Sequence, residues 1–202
     1  MHMANVWDER YSGEEYFYGT APNAFLISHQ DLLQSGMSCL AVADGEGRNG
    51  VWLAQQGLDV LAVDASSVAL MKARKLSQQR GVTVQFEQVD LQQWDWGVNR
   101  FDVVAGIFIQ FAPPDMREQM FVNIKQCLKP GGLLLLQGYT PRQLEYKTGG
   151  PSQAENLYTE SLLRAAFADM EISLLSEHDD VIREGIGHNG MSALIDLVAR
   201  KR

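Results

Sequence analysis

The sequence predicts an α/β fold built on a wound sheet, mostly parallel, that ends in an antiparallel C-terminal strand pair. Three observations predict it. Between residues 39 and 136, short apolar runs alternate with longer amphipathic stretches. A Gly45-Glu46-Gly47-Arg48-Asn49-Gly50 turn follows the first of those runs. The last two apolar runs have no helix between them, so they pair antiparallel or lie apart.

The elements follow in order. Residues 1–36 read as an N-terminal helical segment of a single domain spanning 1–202, with Arg10, Tyr16, Phe17 and Tyr18 ahead of Pro22, a good first residue of a helix. Residues 40–43, 60–63, 82–86, 103–107 and 133–136 are nearly continuous apolar runs, the pattern of parallel strands buried on both faces. Ser66 is the expected N-cap of a helix to about residue 80, with Ala69, Ala73 and Leu76 on one face and Gly81 ending it. From Pro114 onward, Met116, Met120, Ile124 and Leu128 recur every four residues until Pro130-Gly131-Gly132 stops the helix. A long loop over 139–156 is followed by a helix from Thr159 to about residue 167, with Leu162, Leu163, Ala166 and Phe167 on one face. Strands over 171–175 and 192–199 close the chain, either side of a turn-like stretch at 183–190.

Composition narrows the function. The 202 residues are 46% hydrophobic and 21% charged, enough for a full core and unlike a disordered chain. Seventeen Lys and Arg stand against 25 Asp and Glu, a net charge of −8. That balance argues against nucleic acid or an anionic membrane as the partner and favours a small-molecule substrate. Cys39 and Cys127 fit no ligand spacing, so they read as buried free thiols of a reducing compartment, with no metal site. The N-terminus lacks the basic start and apolar core of a signal peptide, and no run reaches membrane length. A cytoplasmic protein is expected; the sequence is silent on its oligomeric state.

The chemistry gathers at strand ends. Glycines at 45 and 47 let the backbone turn tightly and approach a ligand closely. Asp64 ends the second strand, nineteen residues beyond Gly45, where a carboxylate accepts hydrogen bonds from the hydroxyls of a ribose. Asp90 ends the third strand, taken over 84–90, on the same sheet edge, and is suited to an adenine amino group. A nucleoside is then held at both ends. The full G-x-G-x-x-G also suits an NAD(P)-dependent oxidoreductase, although such enzymes more often run on to a substrate domain for which this chain has no room. A cofactor-binding fold without catalysis is the third reading.

The order of strand, Gly45-x-Gly47 turn, Asp64, Asp90, Leu128-Lys129-Pro130-Gly131-Gly132 and terminal antiparallel pair resembles the class I S-adenosylmethionine-dependent methyltransferases, from about Cys39 to the end. Trp7-Asp8-Glu9-Arg10-Tyr11, Tyr18-Gly19-Thr20-Ala21-Pro22-Asn23 and Gly45-Glu46-Gly47-Arg48-Asn49 are similar to the small tellurite-resistance and thiopurine-type members. The resemblance implies a Rossmann-like sheet and S-adenosylmethionine as cofactor. It assigns cofactor binding to Arg10, Ala43, Asp44, Gly45, Gly47, Asn49, Asp64, Ala65, Asp90, Leu91 and Ile107. Residues 1–36 become a lid, with Arg10 near the cofactor's carboxylate. Acceptor binding falls to Tyr16, Tyr18, Gln110, Tyr139 and His188. The family's first motif commonly begins with an acidic residue and a glycine where this chain has Ala41 and Ala43, which leaves Asp44 to meet the cofactor's amino group directly or through water.

Methyl transfer is an in-line displacement that needs alignment and a dry site. An alcohol or amine acceptor also needs a base within reach, and the sequence offers no clear Lys-Asp or His-Asp pair. A thiol, selenol or chalcogen anion is therefore the expected acceptor.

Overall fold

The computed structural model describes residues 3–202; residues 1 and 2 of the expected N-terminal segment lie outside the described residues. The chain forms two compact units. One holds the described residues up to Trp94 together with Glu184–Gly187, and the other holds Asp95–Arg183 with His188–Arg202.

The first unit runs α1 (Met3–Tyr11), α2 (Ala24–Ser28), β1 (Ser38–Val42), α3 (Arg48–Gln55), β2 (Asp59–Asp64), α4 (Ser67–Arg80) and β3 (Gln85–Gln88). Its strands lie in the order β3-β2-β1 and are parallel, with Val42 opposite Val63 and Asp64 opposite Gln88. The apolar runs at 40–43 and 60–63 supply β1 and β2, with Leu40, Val60, Ala62 and Val63 at 1% exposure or less, the two-sided burial that parallel strands need. The Ser66 hydroxyl accepts from the Ala69 amide and Gly81 closes α4 at φ +67°, as the sequence predicts. Two expectations shift. Helix α2 starts at Ala24 because the Asn23 side chain accepts from the Phe25 and Leu26 amides, which leaves Pro22 outside it. Strand β3 starts at Gln85 rather than residue 82, because Val82 is bonded through both its amide and its carbonyl to Ser77 at the end of α4.

The second unit runs β4 (Phe101–Ile107), α5 (Pro114–Cys127), β5 (Leu128–Tyr139), α6 (Gln143–Tyr146), α7 (Glu160–Ala166), β6 (Met170–Glu184) and β7 (His188–Lys201), with Glu184 counted in the first unit. Its order is β4-β5-β7-β6, with β4 and β5 parallel and β5 and β7 antiparallel. The Lys129-Pro130-Gly131-Gly132 stretch does not lie between helix and strand. It sits inside β5, where pairing jumps from Phe101 opposite Leu128 to Val103 opposite Leu133, an irregularity that takes up the proline and glycines. The terminal strands are far longer than 171–175 and 192–199, and only residues 185–187 separate them. Strand β6 ends the order, and its outer half is mostly exposed and charged, the composition of a protected edge rather than of a buried strand.

Within the first unit, the segment between α1 and α2 is fastened by polar side chains of the glycine turn. Glu46, 4% exposed, accepts from the Phe17 amide at 2.7 Å, the Tyr18 amide at 3.4 Å and the Lys72 ammonium at 2.7 Å. Lys72 also donates to the Glu15 carbonyl at 2.7 Å. Arg48 pairs with Glu184 at 2.7 Å, whose other oxygen accepts from Asn23 at 3.0 Å, and the Asn49 side chain accepts from the Asn23 amide at 2.9 Å. The Ile186 and Gly187 amides donate to the Phe17 carbonyl. Asp44 takes the Gly50 amide at 3.1 Å on both oxygens; burial, helped by the charge of Asp64, pushes its carboxyl from 3.8 up to about 7.

Two outcomes follow. Glu46→Ala leaves the Lys72 ammonium without its carboxylate and is expected to cost about 3–5 kcal/mol in denaturant unfolding, the range for breaking a buried pair, with faster hydrogen exchange at Phe17 and Tyr18. Unchanged exchange at those amides means that Glu46 does not hold the segment. For Asp44 the folded state binds the proton more tightly than the unfolded chain, so its contribution is complete below about pH 4 and is lost as pH rises through about 7. Asp44→Asn, which still accepts from Gly50, is expected to flatten that fall and to exceed the parent protein at pH 8 by about 1–3 kcal/mol. Parallel stability curves from pH 4 to 8 contradict this.

Candidate active site

The turn after β1 turns on three left-handed residues: Ala43 at φ +48°, Gly45 at +58° and Gly47 at +89°. Gly47 precedes α3, and a Cβ there meets the Ala73 Cβ of α4 at 2.7 Å, so only glycine lets the two helices approach. A Cβ on Gly45 meets the Tyr11 hydroxyl at 2.9 Å. Ala43 carries a Cβ through the same backbone region and stores strain there.

Asp64 joins the end of β2 to this turn. One carboxylate oxygen accepts from the Gly45 amide at 2.8 Å and the other from the Ser66 amide at 2.8 Å, with the Ala65 amide a further donor. Burial raises its carboxyl above the usual range, and the three amides oppose that rise. The Val89 amide donates to the Asp64 carbonyl at 3.0 Å, which brings the chain after β3 beside it. Asp90 does not end the strand as expected. It lies two residues past Gln88, exposed, and closes a turn by accepting from the Gln92 amide at 3.0 Å, with Leu91 buried beside it.

The aromatic residues of the N-terminal segment stand over the same corner. Tyr11, 5% exposed, contacts Trp7 and Tyr18 by ring packing, and burial followed by the Asp64 charge raises its hydroxyl well above the usual range. Arg10 lies over the Trp7 ring at 4.7 Å and donates to the Tyr18 hydroxyl at 3.4 Å. Tyr16 donates to the Lys72 carbonyl at 3.1 Å. The structure thus gathers Arg10, Tyr18, Gly45 and Asp64 about Tyr11. It commits Asp44 to Gly50 and Asn49 to Asn23. Sequence reasoning gave no role to Tyr11, Glu46, Lys72 or the Arg48–Glu184 pair; the available signal was two charged residues set inside a turn between a buried strand and a helix.

In the second unit Ile107 ends β4 and Phe108 follows at φ +55°. Gln110 is buried, accepting from the Tyr139 amide at 2.6 Å and donating to the Tyr139 and Asn156 carbonyls at 2.9 and 3.2 Å. Its amide group is therefore taken up in holding the end of β5. Tyr139 and His188 pack edge to face at 5.6 Å. The sequence offers no clear Lys-Asp or His-Asp pair, but the structure forms Lys125–Asp169, Lys129–Asp102 and a His-Asp pair. His178 of β6 and Asp196 of β7 meet at 2.9 Å, and the other Asp196 oxygen accepts from Gln137 at 2.7 Å. Both cysteines are buried free thiols, and burial pushes Cys127 up to about 12. Among the described residues no helix is long and apolar enough to cross a membrane.

The first-unit corner fits S-adenosylmethionine. A carboxylate offers about four acceptor positions, so Asp64 keeps capacity for a ribose hydroxyl beyond its three amides. Gly45 lets the Tyr11 hydroxyl close against the turn beside Asp64, and Asp90 stays exposed beyond β3.

The methyltransferase domain family matches residues 39–132. The carboxy-S-adenosyl-L-methionine synthase of Nautilia profundicola is 24% identical over 136 residues, 66% of this chain. The chain spans 58% of the length of that synthase. Among solved structures, a protein from echinomycin biosynthesis superposes with TM-score 0.80 at 20% identity, over 99% of this chain and 92% of that one. TehB from Haemophilus influenzae gives 0.73 at 15% identity, over 98% and 67%. Residues 39–132 thus match a methyltransferase domain family, and the chain has the fold of the class I S-adenosylmethionine-dependent methyltransferases.

Proposed function

We propose that the protein transfers a methyl group from S-adenosylmethionine to a small acceptor that is a thiol, a selenol or a chalcogen anion. The observation that carries the first half is the Asp64 carboxylate bonded to the Gly45 amide, which sets a ribose acceptor at the glycine turn. When bound, S-adenosylmethionine supplies a methyl group on a positively charged sulfur. The residues of this chain then bind and align. Asp64 takes a ribose hydroxyl, Asp90 with Leu91 the adenine, and Gly45, Gly47, Ala43, Ala65 and Ile107 supply backbone or apolar surface. Arg10 meets the cofactor's carboxylate. Asp44 and Asn49 act by holding the turn and the N-terminal segment in shape. Residues 1–36 act as the lid of a single domain, with Tyr16 and Tyr18 on the acceptor side; in the second unit Gln110 positions Tyr139, whose ring and that of His188 pack on Phe108.

The acceptor class rests on ionisation. A thiol or selenol forms its own anion near neutral pH and needs no protein base. The echinomycin-biosynthesis structure concerns the conversion of a disulfide bond into a thioacetal group, which is sulfur chemistry associated with a similar fold. The His178–Asp196 pair supports the second reading, an acceptor deprotonated by His178. The net charge of −8 favours small molecules over nucleic acid, and two free thiols suit the cytoplasm.

Calorimetric titration with S-adenosylhomocysteine, NAD and NADP tests the cofactor: only the first is expected to bind. Asp64→Ala removes the partner of three amides and is expected to lower stability as well as binding, so Asp64→Asn is the sharper variant. It keeps an acceptor, loses the charge, and is expected to weaken S-adenosylhomocysteine about 10- to 100-fold, the equivalent of about 1.5–3 kcal/mol for a hydrogen bond to a charged group. An unchanged dissociation constant removes Asp64 from the site.

The acceptor is read from pH. The rate with a series of thiols is expected to rise through each thiol's own pKa, and His178→Gln to leave that profile in place. A profile common to all thiols, with a loss of about 100-fold or more in His178→Gln, establishes the second reading instead.

A further inference from the structure

We propose that the ring of Phe108 is an acceptor contact that selects for a polarisable sulfur or selenium atom. The inference rests on the methyl-transfer reading above and names the residue that recognises the acceptor's chemistry.

Phe108 is the first residue after β4 and stands at φ +55°. That backbone region is a genuine outlier for a bulky side chain, and such a conformation persists only where its surroundings enforce it. The surroundings here do so from three sides. The Phe108 amide donates to the Gln137 carbonyl at 2.8 Å. The Tyr139 ring stacks on Phe108 at 4.6 Å and 26°, and the His188 ring meets it at 4.5 Å and 65°. Tyr139 is fully buried and His188 is 6% exposed, while Phe108 is only partly buried. Of the three rings, Phe108 alone keeps appreciable surface. Leu157, Ile182 and Leu194 form the apolar cluster with Tyr139 against which it packs.

A core residue has no need of this arrangement: a leucine in ordinary backbone fills such a space. What the arrangement achieves is an aromatic face held rigid at the carboxyl end of a parallel strand, the edge where wound sheets bind their ligands. Aromatic faces and edges attract sulfur through its polarisability, at about 5 Å from the ring. Oxygen in the same place gains far less. The ring therefore sorts acceptors by the softness of the reacting atom, and it acts by contact alone, with no bond made or broken at Phe108.

The test uses thioanisole and anisole, which differ only in sulfur for oxygen and neither of which ionises. Binding of each to the full chain is measured by ligand-observed NMR, with and without S-adenosylhomocysteine. The parent protein is expected to prefer thioanisole about 3- to 10-fold, the size of a sulfur–aromatic contact. Phe108→Tyr keeps the ring and is expected to keep the preference. Phe108→Leu is expected to bring the two ligands within about two-fold by weakening thioanisole alone. Phe108→Gly suits the left-handed backbone and carries the same expectation should the leucine variant fold poorly. No preference in the parent protein, a preference retained in the leucine and glycine variants, or an equal loss of both ligands overturns the proposal, the last because it marks Phe108 as packing only. Failure of S-adenosylhomocysteine to bind the parent protein counts against the methyl-transfer reading instead, and the sulfur preference is still read without it.

Discussion

A carboxylate withdrawn from water has to be answered where it stands. Glu46 occupies the position between two glycines whose backbone conformation no other residue adopts cheaply, and it is answered by one ammonium and two backbone amides. Arg48, two residues on, is answered by Glu184 and Asn49 by the Asn23 amide. One six-residue turn therefore bends its backbone through the glycines and ties down the segment between α1 and α2 with its side chains. The price is steep for a single substitution, because removing either partner of such a pair strands a charge.

The parts of the fold legible in the sequence are those where one physical signal dominates. Strands β1, β2, β4 and β5 are buried on both faces and read as unbroken apolar runs. Helix α4 carries its cap and its terminating glycine in the sequence. Strand β6 was legible only at its start, because an edge strand with charged residues on both faces has no period to detect. Asp64 is identifiable because strand end and glycine turn fix its place together. Asp90 reads in the sequence as the end of a strand over 84–90, but β3 stops at Gln88 and Asp90 instead accepts from the Gln92 amide in the turn that follows. The His178–Asp196 pair was beyond reach: eighteen residues separate its members, and only the register of β6 against β7 brings them together.

Strain marks the ends of two strands. Ala43 follows β1 and Phe108 follows β4, both in the left-handed region without glycine's freedom. Each such residue costs on the order of 1–2 kcal/mol, so each has to be enforced by neighbours: Ala43 by the Asp44 amide bonded to the Val63 carbonyl, Phe108 by its own amide on Gln137 and by two rings. Local preference and global fold disagree at these two places and agree almost everywhere else along β1 and β4. Disagreement of that kind concentrates where a protein meets its ligands.

The carbonyl of Phe17 accepts the amides of Ile186 and Gly187, and Glu184 holds Asn23 and Arg48. On a ribosome the chain emerges from its N-terminus at about 5–20 residues per second, so the segment around Phe17 waits on the order of ten seconds for the hairpin tip that completes its hydrogen bonds. Until then Arg48 and Asn23 lack their carboxylate. The nascent chain thus has β1, β2 and β3 available first and completes the bonds of its N-terminal segment only when nearly the whole polypeptide has been made, so a chain cut short before residue 184 keeps the glycine turn without the clasp that closes beside it.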